Sequence, residues 1–374
     1  MSIDSKTLEA AALDLKERKR VKIASELLPE DRKRGYTNAP SNNFITSIVT
    51  FPYFSESKAL KKEEATGAAG KTDIVFYYED CSLTLSGGLN IKTLSNFCKR
   101  FFLFCLSHYK KDSKEGEMYS FSLSQYKKRV APNSEMNYIR DLLKQSFNSL
   151  ASGSFAIYRN GIGVEGGSSL IERYFVPEAP NSPYYNPEEQ IDNDTVSFKF
   201  SPTFVSIFLS NIEEMGYPPI PSILWSLPQG RIDAAFTIGY LLAVHRHRNR
   251  AHKNSNTISL STILDYVALP SKENVKNYRY KREIIDPIEE AFSDLRKTGY
   301  YTIEYCWKNG KVLTAEELEQ AKKNIDVFLS LDIVFELLDY SEVQVRSRAQ
   351  AIGYAEKTAR EMKKKAELDA KKEK

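Results

Sequence analysis

The chain has 374 residues, enough for two or three domains that each bury a core of their own. Its 41% apolar content is ordinary for a globular protein, no apolar run approaches the roughly 20 residues that span a bilayer, and the N-terminus carries no apolar signal segment. A cytoplasmic protein without membrane contact is expected, and a net charge of +4 is too small to name a partner, which leaves that question to the local distribution of charge.

Residues 1–43 are charged and nearly free of aromatics, and are expected to be a flexible segment ending in the linker Pro40-Ser41-Asn42-Asn43. A first domain is placed at 44–213, with extended segments at 44–54 and 73–85 and a mobile loop from Lys58 to Lys71. Ile91, Leu94, Cys98, Phe101, Cys105 and Tyr109 recur at helical spacing and predict about five turns of helix with one wide apolar face. Ser122 is placed as the N-cap of a short helix whose Leu123, Tyr126 and Val130 face inward. After an Ala131-Pro132-Asn133 turn, a third helix buries Met136, Ile139, Leu143, Phe147 and Leu150. Phe155-Ala156-Ile157-Tyr158 reads as a strand, Arg159-Asn160-Gly161 as a turn and Val196 to Phe200 as the returning strand. The segment between them, rich in Pro, Asn and Gly, exceeds a minimal wing and is expected to be partly disordered.

A second domain is placed at 214–340. Ile232, Phe236, Gly239, Tyr240 and Ala243 mark the face of a helix ending near Arg246–Arg250. Behind a Ser259 cap, Leu260, Ile263, Leu264 and Val267 form the i, i+3, i+4, i+7 stripe of the next helix. The third helix buries Ile284, Ile288, Phe292 and Leu295, and Pro287 predicts a kink or a late start, because it lacks a backbone donor. Tyr300 to Trp307 alternates as a strand, Lys308-Asn309-Gly310-Lys311 is a wing-tip turn, and Thr314-Ala315-Glu316-Glu317 opens a short inserted helix. Val327 to Leu337 is expected to return as a strand, and residues 341–374 to form an exposed, charged tail. Cys81, Cys98, Cys105 and Cys306 show no CxxC spacing; Cys98 and Cys105 lie a heptad apart on an apolar helix and read as buried free thiols in a reducing compartment.

One phrase occurs twice. Ser122-Leu123-Ser124, Val130-Ala131 and Asn137-Tyr138, leading to Leu142 and Leu143, parallels Ser259-Leu260-Ser261, Val267-Ala268 and Asn277-Tyr278, leading to Ile284 and Ile285. Each copy follows an apolar helix and precedes aromatic strand-like sequence. The pattern predicts an α+β fold of two tandem winged-helix domains, each a helix-turn-helix plus a β-wing, with flexible charged termini. Such a fold points to nucleic acid rather than catalysis.

With Ile284 and Ile288 inward, Lys276, Arg279 and Arg282 fall on one outward stripe, suited to phosphates and to guanine O6/N7. Asn277 at the helix start and Lys308 and Lys311 at the wing tip join them as candidate DNA-binding residues. In the first domain Asn137, Arg140, Asp141 and Lys144 face outward, with Tyr126, Lys127, Lys128 and Arg129 on the helix before. There Asn137 suits adenine, Lys127, Lys128, Arg140 and Lys144 complete the candidate set, and Asp141 interrupts the basic surface. His245, His247 and His252 stand among Arg246, Arg248 and Arg250. A His-x-His pair with a tyrosine is the plan of metal-dependent rolling-circle nickases, but i and i+2 residues on a helix point apart, and zinc would want further ligands. A solvated or phosphate-facing basic cap is the better reading, and no metal, cofactor or catalytic residue is expected. Gly161-Ile162-Gly163-Val164-Glu165-Gly166-Gly167 lacks the strand-to-helix setting of a phosphate cradle and reads as a wing loop.

Tyr278-Arg279-Tyr280-Lys281-Arg282-Glu283-Ile284-Ile285-Asp286-Pro287-Ile288-Glu289-Glu290 resembles the second recognition helix of the Rep initiators of iteron-containing plasmids. Phe198-Lys199-Phe200-Ser201-Pro202 resembles the phrase that closes their first domain. The resemblance spans roughly residues 91–337 and implies double-stranded DNA as partner, at directly repeated origin sites. It further implies autoregulation, dimer-to-monomer exchange, and recruitment of host helicase and initiation proteins. A winged-helix transcriptional regulator without an initiation role stays open beside it, as does the nicking enzyme.

Overall fold

A computed structural model describes residues 35–39, 45, 46, 49, 61–66, 72–77, 81–85, 96–109, 117–159, 163–180, 182, 183, 194–209, 218–227, 233–250, 252, 255–267, 269, 270, 272, 275, 276 and 279–338. The linker at 40–43, most of the N-terminal segment and the tail from 341 lie outside them.

Two helix-turn-helix units, each with a three-stranded sheet, repeat along the chain. The first has α1 (Asn96–Leu106), β5 (Tyr119–Ser122), α2 (Leu123–Val130), α3 (Met136–Ser152), β8 (Ile171–Phe175) and β9 (Thr195–Phe200). The second has α4 (Ala234–Arg248), β11 (Thr257–Ser259), α5 (Leu260–Tyr266), α6 (Asp286–Lys297), β12 (Tyr301–Cys306) and β13 (Asp332–Leu337). Their antiparallel sheets have the same order, β5-β9-β8 and β11-β13-β12. In both, the short strand before the second helix pairs with the last strand, and the wing strand takes the far edge. The repeated serines explain the common turn from strand to helix. Ser122 accepts from Gln125 N at 3.1 Å and Ser259 from Thr262 N at 3.1 Å, each satisfying a donor that a helix N-terminus leaves open.

α1 corrects the expectation of one apolar face, since every residue from Phe97 to Leu106 is buried. Its described span is shorter than five turns, and Ile91 and Leu94 lie outside the described residues. Aromatic side chains surround it: Phe101 meets Phe147 edge-on at 4.7 Å and Tyr126 at 5.7 Å, and Phe104 meets Phe121 at 5.0 Å. Edge-to-face pairs of this kind contribute about 0.5–1.5 kcal/mol each beyond their burial. α4 is likewise buried from Phe236 to Val244, which marks it as the core helix of its unit. Gly239 lets it approach its neighbours, because a Cβ there would stand 2.5 Å from Leu224 and 2.8 Å from Leu295.

Several other expectations change. The Lys58–Lys71 loop contains β2 (Lys61–Thr66), an edge strand paired with β3 (Thr72–Tyr77); the 73–85 segment is β3 and β4 (Cys81–Leu85). Charge along β2 hides its strand character, as suits a sheet edge, and Tyr77 Oη donates across the ladder to Glu63 at 2.7 Å. β6 (Gly153–Arg159) and β7 (Gly163–Ser168) complete this sheet in the order β2-β3-β4-β6-β7, so the described part of the glycine-rich stretch, from Gly163, is strand rather than wing loop. Ile45, Thr46 and Val49, expected to be extended, are helical and buried. Tyr36–Asn38, assigned to the flexible segment, forms β1 against β10 (Pro219–Pro221). The inserted helix α7 (Ala315–Ala321) is followed by α8 (Ile325–Leu329), so Val327 is helical and β13 starts later than expected. Asn324 causes this by accepting from Asp326 N at 2.9 Å as an N-cap.

The two repeats are joined through a buried ion pair. Arg100 of α1 is 0% exposed; its Nε donates to Asp233 Oδ2 at 2.9 Å, and its Nη2 pairs with Asp233 Oδ1. Asp233 is the N-cap residue of α4, in the left-handed region at φ 53°. Arg100 also lies over the Phe236 ring at 4.9 Å, and its carbonyl accepts from Trp225 Nε1 at 3.3 Å. Lys99 beside it is buried too, and burial pushes its ammonium down to about 8. Core helix thus meets core helix through one carboxylate.

Candidate nucleic-acid interface

In the second repeat Ile284, Ile285, Ile288, Phe292 and Leu295 are buried, which turns the basic run of the third helix to solvent. Its first turn is a π-turn, Lys281–Ile285, closed by a bond from Asp286 N to Lys281 O, and α6 starts with Pro287 in its first turn. Proline supplies no N–H for an i→i−4 bond, so the wider turn sits where α-helical pairing fails. The expected kink at Pro287 is therefore a π-to-α junction.

Arg282 keeps 78% of its side chain exposed and Arg279 47%, and both lean on Glu283, at 3.7 and 3.4 Å. Exposed pairs of this kind contribute about 0–1 kcal/mol, so a phosphate or a guanine edge can take either arginine from Glu283. Lys276 is exposed but precedes the helix, which corrects the expected three-residue stripe; Asn277 lies outside the described residues. Lys281, which spacing alone puts on the side of Ile284 and Ile288, is exposed on the π-turn. Sequence reading missed it, and the proline six residues on was the available signal.

At the wing tip Gly310 N donates to Trp307 O at 2.7 Å and Trp307 N to Lys311 O at 2.9 Å. Gly310 sits at φ +83°, a conformation glycine adopts without strain. Lys308 and Lys311 are exposed, although Lys311 pairs with Glu317 at 2.8 Å. α7 opens with a capping box, Thr314 with Glu317. Lys322 ties the insertion to α6, reaching Glu289 at 2.9 Å and Glu319 at 2.9 Å.

The first repeat presents less charge than its sequence suggests. Arg140 is 8% exposed and donates from Nη1 to Asn137 Oδ1 at 3.0 Å. Lys144 is half-buried and paired with Glu178 at 2.6 Å, which holds that carboxyl below the usual carboxylate range. Lys127 donates to Pro132 O at 2.9 Å, and Lys128 is exposed. Tyr126 and Arg129 are buried; Arg129 stacks on Trp225 at 4.7 Å and donates to Thr37 Oγ1 at 3.2 Å. Asn137 and Asp141 are exposed, and so is Tyr138, an unanticipated aromatic with 57% exposure on the outward face of α3.

Residues 82–214 match the family model described as the initiator replication protein, WH1. They are a replication-initiator WH1 domain. Among solved structures the chain is similar to the Pi initiator protein in complex with iteron DNA, at 11% identity and TM-score 0.41, covering 65% of this chain and 90% of that one. It is also similar to RctB domains 2–3, at 11% identity and TM-score 0.38, covering 76% and 93%. Those two likenesses are too distant to extend the assignment. No curated protein matches the chain in sequence. Among the described residues no helix is long and apolar enough to cross a membrane.

His245 and His247 are withdrawn from the basic cap expected at the end of α4, while Arg248, Arg250 and His252 are exposed. His245 Nε2 meets Thr257 O at 2.9 Å while Asn249 Nδ2 donates to its Nδ1 at 3.2 Å, a pattern that requires the neutral Nε2–H tautomer. His247 is buried, and Arg250 Nη1 donates to its Nε2 at 3.1 Å. Burial lowers both, His247 to about 4. Among the described residues no group of three or more His, Cys, Asp or Glu is placed to hold a metal ion. A lowered folded-state value means that the unfolded chain takes the proton first. The stability from a neutral His247 is complete above pH 6.5 and is lost as pH falls toward 4. The loss is expected to be about 3 kcal/mol. Urea titrations between pH 7 and pH 4 should show it, and His247→Gln should flatten that part of the profile; an unchanged slope would mean that His247 titrates normally.

Proposed function

We propose that the protein initiates plasmid replication by binding double-stranded DNA at directly repeated origin sites, without covalent chemistry. The observation that carries this reading is the exposed pair Arg279 and Arg282 at the start of the third helix of a helix-turn-helix, in a chain whose first repeat is an initiator WH1 domain. Set in the major groove, these arginines pair with guanine O6/N7 or with phosphate, while Lys281, Lys308 and Lys128 follow the backbone. The two third helices then read groove faces about one helical turn apart. In this reading residues 44–213 and 214–340 are the two DNA-binding domains, and the charged ends outside them add nonspecific attraction. Host helicase and initiation proteins and a second copy of this chain are the further partners, and the cytoplasm keeps the buried thiols Cys98, Cys105 and Cys306 reduced.

Selection of bound duplexes from a random library tests the reading. A recovered motif that also recurs as direct repeats in a plasmid origin, and that supports replication only with this protein, is the expected result. Affinity for that motif should fall linearly with log salt, at roughly −0.9 per phosphate neutralised. Supercoiled origin DNA incubated with magnesium should remain uncut. A covalent protein–DNA adduct that disappears in the His245→Ala, His247→Ala double variant would overturn the non-enzymatic part.

A further inference from the structure

The third helix of the first repeat exposes Asn137, Tyr138 and Asp141, while its arginine, Arg140, is buried. Asn137 is the second residue of α3, where a recognition helix meets base edges. Its amide orientation is set chemically, because Arg140 Nη1 can only donate, so the atom facing it at 3.0 Å must be the carbonyl oxygen, Oδ1. The Nδ2 donor therefore points away from the guanidinium. Arg140 is buried, and it lies close enough to Glu178 to help hold that carboxyl below its usual range. Glu178 also takes Lys144, so both cations that the helix directs outward are engaged by the chain itself.

We propose that Arg140 is a positioning residue, which fixes Asn137 so that its Nδ2 reads a base-edge acceptor in the major groove. The role rests on the DNA-binding reading above. It replaces the expectation that Arg140 itself touches DNA, and widens the pairing of Asn137 beyond adenine. With Oδ1 held toward Arg140, the Nδ2 amine is the group that Asn137 turns outward, which suits guanine O6 or N7, thymine O4 or adenine N7. Tyr138, exposed beside it, flanks the same contact.

The experiment measures affinity of the full chain for its selected duplex and for that duplex changed one base pair at a time, with several salt concentrations for each variant. Asn137→Ala should lose discrimination of about tenfold at one base pair and leave the others intact. Arg140→Met should lose discrimination at the same pair, and the double variant should be no worse than either single one. Asn137→Asp keeps an acceptor for Arg140 but presents an oxygen outward, so preference at that pair should move toward cytosine, whose N4 donates. Asn137 is exposed, so its two variants fold even if Arg140→Met does not, and thermal melts of each check this. The salt slope should be the same for all, because none removes a phosphate contact. An Arg140→Met slope smaller by about one phosphate with base preferences intact would overturn the proposal, as would an Asn137→Ala protein with every preference unchanged. Failure of the full chain to select any duplex would instead remove the DNA-binding reading itself, and this role with it.

Discussion

Asp233→Asn is expected to destabilise the protein by about 3–5 kcal/mol, the range for removing one partner of a buried ion pair. Asparagine tolerates the left-handed conformation at φ 53° and keeps a side-chain acceptor, so the substitution isolates the charge from the backbone. What remains is the guanidinium of Arg100, 0% exposed, with Lys99 buried beside it and their shared carboxylate gone. The cost is burial of two cations without a counter-charge, not the loss of a strong attraction. For that reason Asp233→Asn combined with Arg100→Met should be more stable than Asp233→Asn alone, although methionine leaves the Leu227 carbonyl without its Arg100 donor. Urea denaturation of the two single variants and the double one gives the coupling. A single-variant loss below about 1 kcal/mol would mean that water reaches the pair, and that the two core helices are not locked through it.

Arg282→Ala and Arg279→Ala should each weaken binding to the selected duplex by about 1–3 kcal/mol where the arginine pairs a base, with loss of preference at that position. Where it neutralises a phosphate instead, affinity should fall evenly across sequences and the salt slope should shrink by about one unit. Neither change should disturb folding, because both side chains are exposed while Ile284 and Ile288 carry the packing. Glu283→Gln removes the carboxylate on which both arginines lean and should raise affinity slightly. Unchanged affinity in the Arg279, Arg282 double variant at fixed salt would take this helix out of the reading role.

Much of the second repeat was legible residue by residue. The stripes Leu260, Ile263, Leu264, Val267 and Ile284, Ile288, Phe292, Leu295 are buried as their spacing predicts, and Ser259, Thr314 and Gly310 stand at the caps and turn expected of them. These signals are local. A cap or a tight turn is decided by hydrogen bonds within four residues, and an amphipathic helix shows its buried side in its own period. The candidate site was legible in outline only. Spacing separates outward from inward, so it found Arg279, Arg282, Lys128 and Asn137. It could not tell an outward cation that stays in solvent from one that a distant carboxylate claims, and Glu178 is far from Lys144 in sequence.

By itself, then, the sequence determined the repeated helix-turn-helix units, their caps and the inward stripes, because short-range bonding and one-dimensional periodicity settle those. Tertiary structure alone decided which polar groups are withdrawn from solvent. Arg100, Lys99, Arg129 and His247 occupy positions where a chain read in isolation expects a solvated charge, and each is buried. Strands β2, β5 and β11 belong to the same class. The charged residues of β2 carry little strand preference, and β5 and β11 are only four and three residues long; in each a partner strand supplies the hydrogen bonds that hold the segment extended. The physical reason is the same in both cases: the free energy of a buried charge or an edge strand depends on what faces it, and that neighbour is set by the fold rather than by adjacent residues.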